Sequence, residues 1–163
     1  MERISFIKQY IVKPRTVGAI LPSSKYLAKK VIENINFEHA DYIVEYGAGT
    51  GVFTEKIIKN RKKNSMILTF ESNRDFYEIL KEKYKNELNL YIINDSAEHI
   101  EKYMMKYDIP WINYVISGLP FASLPKKVSS NILENTKKNL KKDGKFITFQ
   151  YTLLKKDFIE KYF

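Results

Sequence analysis

The seven residues Glu45-Tyr46-Gly47-Ala48-Gly49-Thr50-Gly51 carry the clearest chemical signal in this chain. They follow the apolar run Tyr42-Ile43-Val44 and precede Val52-Phe53-Thr54-Glu55-Lys56-Ile57-Ile58, whose spacing is helical. Alternate glycines let a backbone turn tightly and approach a ligand without Cβ atoms in the way. The helix that follows presents unpaired N–H groups to anionic parts of such a ligand. The arrangement reads as a cradle for a nucleotide-like molecule, with an ordinary glycine turn as the plain alternative. Two more acids stand where that molecule needs them. Glu71, followed by Ser72, ends an apolar run about twenty residues after the loop, the usual place for a carboxylate that grips ribose hydroxyls. Asp95, in Asn94-Asp95-Ser96-Ala97, ends the next run and is placed to bind an adenine amino group.

The elements that must position these residues alternate regularly. Strands are expected at Tyr42–Tyr46, Met66–Glu71, Leu90–Asn94, Tyr114–Ser117 and Phe146–Tyr151, each a short apolar run suited to burial on both faces. Helices are expected at Val52–Asn60, Arg74–Asn86, Ala97–Tyr107 and Pro125–Leu140, with a tight turn at Lys142–Lys145 and a last helix within Leu153–Phe163. Such alternation predicts an α/β fold, a Rossmann-like, doubly wound, mostly parallel sheet with the two acids and the glycines at neighbouring strand ends. Two helices are expected before it. Ser23 and Ser24 read as N-caps of Lys25–Ile35. Arg3–Val12 reads as a short basic amphipathic helix, fit either to lie on a membrane surface or to pack on the domain. Residues 1–163 are therefore taken as one domain, with 1–38 as a lid or membrane-contact segment and 39–163 as the cofactor-binding core. Trp111, at a strand entry, is expected in the core.

Composition narrows the chemistry. The chain has 163 residues, 44% of them hydrophobic, which suits one globular domain with a sizeable core. It has no cysteine and only two histidines, His39 and His99, so thiolate chemistry is excluded and no metal is expected. Neither a membrane-spanning run nor a signal-peptide pattern is visible, which predicts a cytoplasmic protein. A net charge of +9 favours polyanionic partners, nucleic acid or an anionic membrane surface, although lysine-rich helix faces are often plain solvated surface. An acid directly before the glycine loop would repel a pyrophosphate but suits an ammonium and a sulfonium. That physical difference favours S-adenosyl-L-methionine over a dinucleotide.

With Glu45, Gly47, Ala48, Gly49, Thr50 and Gly51 as the first motif, Glu71 as the ribose acid and Asp95-Ser96-Ala97 on the adenine side, the chain resembles the class I S-adenosylmethionine-dependent methyltransferases. More narrowly, Thr16-Val17-Gly18-Ala19-Ile20-Leu21-Pro22-Ser23-Ser24 and Ser117-Gly118-Leu119-Pro120-Phe121 resemble the bacterial phospholipid N-methyltransferases. That resemblance implies methylation of a phosphatidylethanolamine-type headgroup amine, by a protein peripheral on the inner membrane face. The related ribosomal RNA adenine dimethyltransferases carry Asn-Leu/Ile-Pro-Tyr/Phe in the fourth-strand motif. Here the Asn position is Gly118, which has no side chain to hold an adenine amine. RNA adenine N6-methylation is therefore the second reading, and a non-catalytic adenosylmethionine-binding fragment the third.

The resemblance implies in-line methyl transfer, served by groups that align the acceptor nitrogen and exclude water. The candidates are Ser117 (also beside the cofactor), Gly118, Leu119 and Pro120, with Phe121 closing the pocket. Tyr10, Gly18, Pro22, Ser23 and Ser24 are candidates on the acceptor side, with Tyr151 beside them and Lys13 and Arg15 for a lipid phosphate. Class I members usually end in a sixth and seventh strand forming a hairpin, which is not expected within this sequence, whether the chain is truncated or naturally short. The fifth expected strand would then be a bare apolar edge, open to the N-terminal helices or to a second copy in a homo-oligomer.

Overall fold

A computed structural model describes residues 4–8, 22–150 and 155–163 of the chain. Its elements are β1 (Ile4–Lys8), α1 (Pro22–Ile32), β2 (Tyr42–Tyr46), α2 (Val52–Asn60), β3 (Met66–Phe70), α3 (Arg74–Lys83), β4 (Leu90–Ile93), α4 (Ile100–Lys106), β5 (Ile112–Ser117), α5 (Lys126–Asn139), β6 (Leu140–Gln150) and α6 (Lys156–Glu160). The strands form one sheet in the order β1-β6-β5-β2-β3-β4, and every neighbouring pair is parallel. The chain winds outward in one direction through β3 and β4 and in the other through β5 and β6. The topological switch point therefore lies between β2 and β5, where ligands bind in doubly wound sheets.

Strand alternation assigns the two faces. Val44 and Tyr46 of β2 join Leu68, Phe70, Val115 and Phe146 in a core covered by Ile100 and Met104 of α4, Ile132 and Leu133 of α5 and Ile159 of α6. Ile43, with Ile67, Ile116 and Ile147, faces Leu27, Ala28 and Val31 of α1 and Phe53 and Ile57 of α2. Glu45 belongs to this second face by the same alternation, which places a carboxylate beneath α2.

Several expectations change. Ile4–Lys8 is a strand, not part of an amphipathic helix, and it runs parallel to β6 with Ile4 opposite Phe146 and Lys8 opposite Gln150. The edge strand of an apolar sheet needs a partner for its backbone N–H and C=O groups, and that demand outweighs helical periodicity in so short a segment. The bare edge on β6 is thus covered from within the chain, and the premise for a homo-oligomer through that edge is gone. The rest of the expected first helix lies outside the described residues. In α1 the helix already includes Pro22, Ser23 and Ser24, so proline takes an early helical position and the serines are not caps. The helix expected at Ala97–Tyr107 opens as a 3₁₀ turn, Ala97–His99, before α4.

β6 starts at Leu140 and passes through the residues expected to turn. Between Ile112 and Tyr114 of β5 it advances from Leu140 to Lys145, an irregular register. Gly144 makes that possible: a Cβ there would lie 2.9 Å from the carbonyl oxygens of Ile112 and Asn113. Trp111 is 42% exposed, edge-on to Tyr42 at 6.3 Å, and is not a core residue.

Candidate functional site

The glycine loop leaves β2 at the switch point in a conformation side chains resist. Gly47, Gly49 and Gly51 have φ of +69°, +54° and +82°, in the left-handed region. The Gly47 N–H donates to the Phe70 carbonyl at 2.8 Å, which fixes the loop to the neighbouring strand. A Cβ on Gly47 would meet Leu119 Cδ2 at 2.9 Å, and one on Gly51 would meet Leu80 Cδ2 at 2.6 Å. A Cβ on Gly49 would meet nothing within 4 Å. The middle glycine therefore faces open space while its neighbours are clamped by packing.

Glu71 is buried and holds this loop directly. Its Oε2 accepts the Gly49 N–H at 2.7 Å and its Oε1 accepts the Asn73 N–H at 2.8 Å. Asn73 caps α3, accepting from the N–H groups of Asp75 and Phe76. The Asn94 side chain donates to the carbonyls of Glu71 and Ser72, at 2.9 and 3.1 Å. The ends of β2, β3 and β4 are thereby tied into one rim.

Glu45 lies under that rim with no solvent exposure. Oε2 accepts from the hydroxyls of Thr54 and Thr69, at 2.7 and 3.2 Å, whereas Oε1 has no hydrogen-bond partner among the described residues. Burial pushes its carboxyl up to about 7; the threonine hydrogen bonds oppose that rise, and the nearby Glu71 charge adds to it. A buried, half-satisfied carboxylate beside the loop is suited to a cation.

Asp95 is the best-bonded acid of the set. Oδ1 accepts from the Ser96 N–H at 2.8 Å and pairs with His99 Nδ1 at 2.7 Å, while Oδ2 accepts from the Tyr103 hydroxyl at 2.8 Å and faces Lys102 Nζ at 3.5 Å. Partial burial raises its carboxyl, but the bonds from His99, Tyr103 and Ser96 outweigh that and bring it down to about 2. Ser96 caps the 3₁₀ turn through the Glu98 N–H, and Ala97 is buried behind it.

On the β5 side, the Gly118 N–H donates to the Tyr46 carbonyl at 2.9 Å, so the fourth-strand motif is joined to the root of the glycine loop. A Cβ on Gly118 would lie 2.9 Å from the Gly47 carbonyl oxygen and 3.4 Å from the Phe149 ring. Leu119 is half-buried and Pro120 exposed. Ser117 and Phe121 differ from their expected roles. Ser117 is buried, its Oγ accepting the Leu119 N–H at 3.3 Å. Phe121 does not close a pocket: it is fully buried, with its ring edge-on to Phe146 at 6.2 Å. Apolar surface near β6 and α6 draws the ring inward.

The structure thus brings together Glu45, Gly47 to Gly51, Glu71, Ser72, Gly118 and Leu119, with Asp95, Ser96 and Ala97 joined through Asn94. Tyr10, Lys13, Arg15, Gly18 and Tyr151 lie outside the described residues. Sequence reasoning missed Asn73, Asn94, Thr54, Thr69 and Tyr103; only Asn73, in Ser72-Asn73-Arg74-Asp75, carried a readable cap signal. A cleft of about 300 Å³ beside the loop is lined by Thr50, Gly51, Val52, Glu55, Lys56, Lys59 and Lys83. It includes neither Glu71 nor Asp95 and so adjoins the rim. Among the described residues no cluster of His, Asp or Glu could hold a metal.

The features of the rim fit S-adenosyl-L-methionine: an orphaned buried carboxylate oxygen for its positive charge, an open glycine, and two acids at successive strand ends. Comparisons with known proteins point the same way. The family model for ribosomal RNA adenine dimethylase matches residues 18–162. An ornithine lipid N-methyltransferase from Singulisphaera acidiphila is 27% identical over 141 residues, covering 86% of this chain and 73% of its own. The ribosomal RNA small subunit methyltransferase A of Thermotoga petrophila is 24% identical over 135 residues. That match covers 82% of this chain and 48% of the relative, so the chain spans about half the relative's length. Among solved structures, Aeropyrum pernix fibrillarin with natively bound S-adenosyl-L-methionine aligns with a TM-score of 0.59 at 15% identity, over 77% of this chain and 54% of that one.

Proposed function

The chain belongs to the ribosomal RNA adenine dimethylase family of S-adenosylmethionine-dependent methyltransferases, and from that premise we propose that its acceptor is the headgroup amine of a phospholipid, of the phosphatidylethanolamine type. The observation that carries this reading is the enclosure of Gly118. An adenine methyltransferase of the related pattern holds the base amine with an Asn side chain at this position. Here the first atom of any side chain would collide with the Gly47 backbone oxygen at 2.9 Å. Phe121, the aromatic that would stack on a flipped base, is packed under Phe146. A lipid amine on a flexible headgroup needs neither group. The ornithine lipid N-methyltransferase supports a lipid amine as the acceptor, although an ornithine lipid carries no phosphate; the phospholipid headgroup is the further step of this proposal.

The cofactor supplies a methyl group on a positively charged sulfur, whose departure needs no acid. The residues of this chain have other tasks. Glu71 holds the Gly49 N–H and so fixes the loop. Glu45 offers its unpartnered oxygen toward positive charge. The Ser117 and Leu119 carbonyls already accept from Thr148 Oγ1 and the Phe121 N–H, so in this reading an incoming neutral amine would be met by their second lone pairs and by the Gly118 carbonyl, with Leu119 packed against Gly47 beside it.

The second reading, RNA adenine N6-methylation, is favoured by the family match itself and by the ribosomal RNA relative. Radiolabelled S-adenosylmethionine offered with phosphatidylethanolamine vesicles in one tube and ribosomal RNA in another separates the two. Label should enter lipid. Label in RNA alone reverses the assignment, and binding without transfer to either leaves a non-catalytic binding protein.

A further inference from the structure

We infer that the loop after Phe121, the first turn of α5 and helix α6 form one surface by which the protein rests on an anionic phospholipid bilayer; this rests on the lipid reading above. The surface begins at the acceptor motif. Pro120, Ala122, Ser123 and Pro125 are exposed and carry no charge, and the chain then enters α5 with exposed Lys126 and Lys127. The first turn of α5, like that of α1, has no acid, whereas those of α2, α3 and α4 carry Glu55, Asp75 and Glu101. Two lysines at the positive end of a helix dipole repel it, an arrangement an external anionic layer relieves.

Helix α6 extends the same surface. The Tyr162 hydroxyl donates to Ser130 Oγ of α5 at 3.0 Å, and Phe163 stacks on Phe146, which touches Phe121 from the other side. The rings of Phe121, Phe146 and Phe163 therefore connect the acceptor motif to the chain just after α6, and the Tyr162–Ser130 hydrogen bond connects that same end to α5. Lys155, Lys156 and Lys161 lie on or beside α6 with Asp157 and Glu160, and Lys156 is paired with Glu160 at 3.4 Å; together with Lys126 and Lys127 these segments carry five lysines and two acids, a net positive charge. Lys155 stands over the Phe158 ring at 5.2 Å, the pairing of cation and half-buried aromatic that suits a lipid headgroup layer. RNA is the poorer fit. Single-stranded bases need free aromatic faces to stack on, and here Phe158 and Tyr162 are packed edge to face at 5.6 Å, with the Tyr162 hydroxyl already bound.

The test is co-sedimentation of the whole chain with vesicles of phosphatidylglycerol and phosphatidylcholine, and with vesicles of phosphatidylcholine alone. Lys126→Glu/Lys127→Glu is compared with a charge-matched control at the opposite end of the sheet, Lys141→Glu/Lys142→Glu. The anionic vesicles should bind at least tenfold better than the neutral ones. The first variant should lose at least tenfold, the control less than threefold, and both should bind S-adenosylmethionine as the parent does. Equal binding to both vesicle types, or equal losses in both variants, overturns the surface. So does a first variant that loses affinity for a ribosomal RNA fragment but not for vesicles. Methylation of phosphatidylethanolamine in detergent micelles keeps the two proposals apart. If the parent methylates micellar lipid and the vesicle results fail, only the surface is wrong; if micellar lipid is not methylated, the acceptor reading fails first.

Discussion

The Gly49 N–H donates to Glu71 Oε2 at 2.7 Å, across the gap between the first and second strand ends of the cofactor crevice. The acid expected to grip ribose is thus also the clamp of the glycine loop, with its other oxygen on Asn73. Glu71→Ala removes both bonds at once. Hydrogen bonds to a charged group contribute about 1.5–3 kcal/mol each, so affinity for S-adenosylmethionine should fall at least tenfold by calorimetry. Glu71→Gln keeps one acceptor oxygen and should fall less. Unchanged affinity in Glu71→Ala would mean that neither the loop nor the ribose depends on this carboxylate.

Glu45 sets a pH dependence whose sign follows from its burial. Its carboxyl rises from an ordinary 4.5 to about 7, so the folded chain holds that proton more tightly than the unfolded chain does. The stability this group contributes is full below pH 4.5 and is lost as pH rises through about 7. At 1.36 kcal/mol per unit the loss is about 3 kcal/mol. Urea denaturation of the parent should therefore show lower stability at pH 8 than at pH 5 from this group, and Glu45→Gln should flatten that slope. A slope identical in the variant would assign it to other residues. A bound cation opposes the rise, so binding of S-adenosylmethionine near pH 6 should release a proton, read as a dependence of binding heat on buffer ionisation enthalpy.

Asp95 behaves in the opposite sense. Its carboxyl is held at about 2 by His99, Tyr103 and Ser96 against the effect of partial burial. Its contribution is present above the ordinary 3.8 and is lost as pH falls through about 2. Tyr103→Phe deletes the donor at 2.8 Å, and a carbon-detected carboxyl titration should show the Asp95 midpoint move upward. No movement would show that the tyrosine hydroxyl points elsewhere in solution.

The elements from β2 to α5 were legible because each is decided locally. Runs such as Met66–Phe70 are apolar but for Thr69, as strands buried on both faces tend to be, and the stripe Ile132, Leu133, Thr136 repeats at helical spacing. β1 was not legible. Ile4, Ile7 and Ile11 fit a helix as well as Ile4-Ser5-Phe6-Ile7 fits a strand, and the choice depends on the open edge of β6, well over a hundred residues away. The site divides in the same manner. The strand-end positions of Glu71 and Asp95 could be read because each acid closes an apolar run, and such run ends fall at the rim of a doubly wound sheet. Asn94 and Tyr103 could not, because an amide or a hydroxyl acquires its partner only when separate strand ends converge. Phe121 was misplaced because a loop aromatic gives no sign of which side it turns to until Phe146 and Phe163 are in position.

Gly118 offers the most direct steric test. In Gly118→Ala the new Cβ would stand 2.9 Å from a backbone oxygen of Gly47. A backbone atom in a clamped loop yields less readily than the end of a side chain, so the substitution should cost about 1–3 kcal/mol, the usual range for overpacking. Because Gly47 also carries Leu119 against it, the strain should pass into the glycine loop, and affinity for S-adenosylmethionine should fall together with Tm. Gly118→Asn should do the same more strongly and should not acquire adenine methylation, since Phe121 remains buried. Thermal denaturation, calorimetry and a ribosomal RNA methylation assay on both variants check this. A Gly118→Asn chain with parental Tm that methylates RNA adenine would show that the enclosure is soft and that the missing amide alone kept the acceptor from being a base.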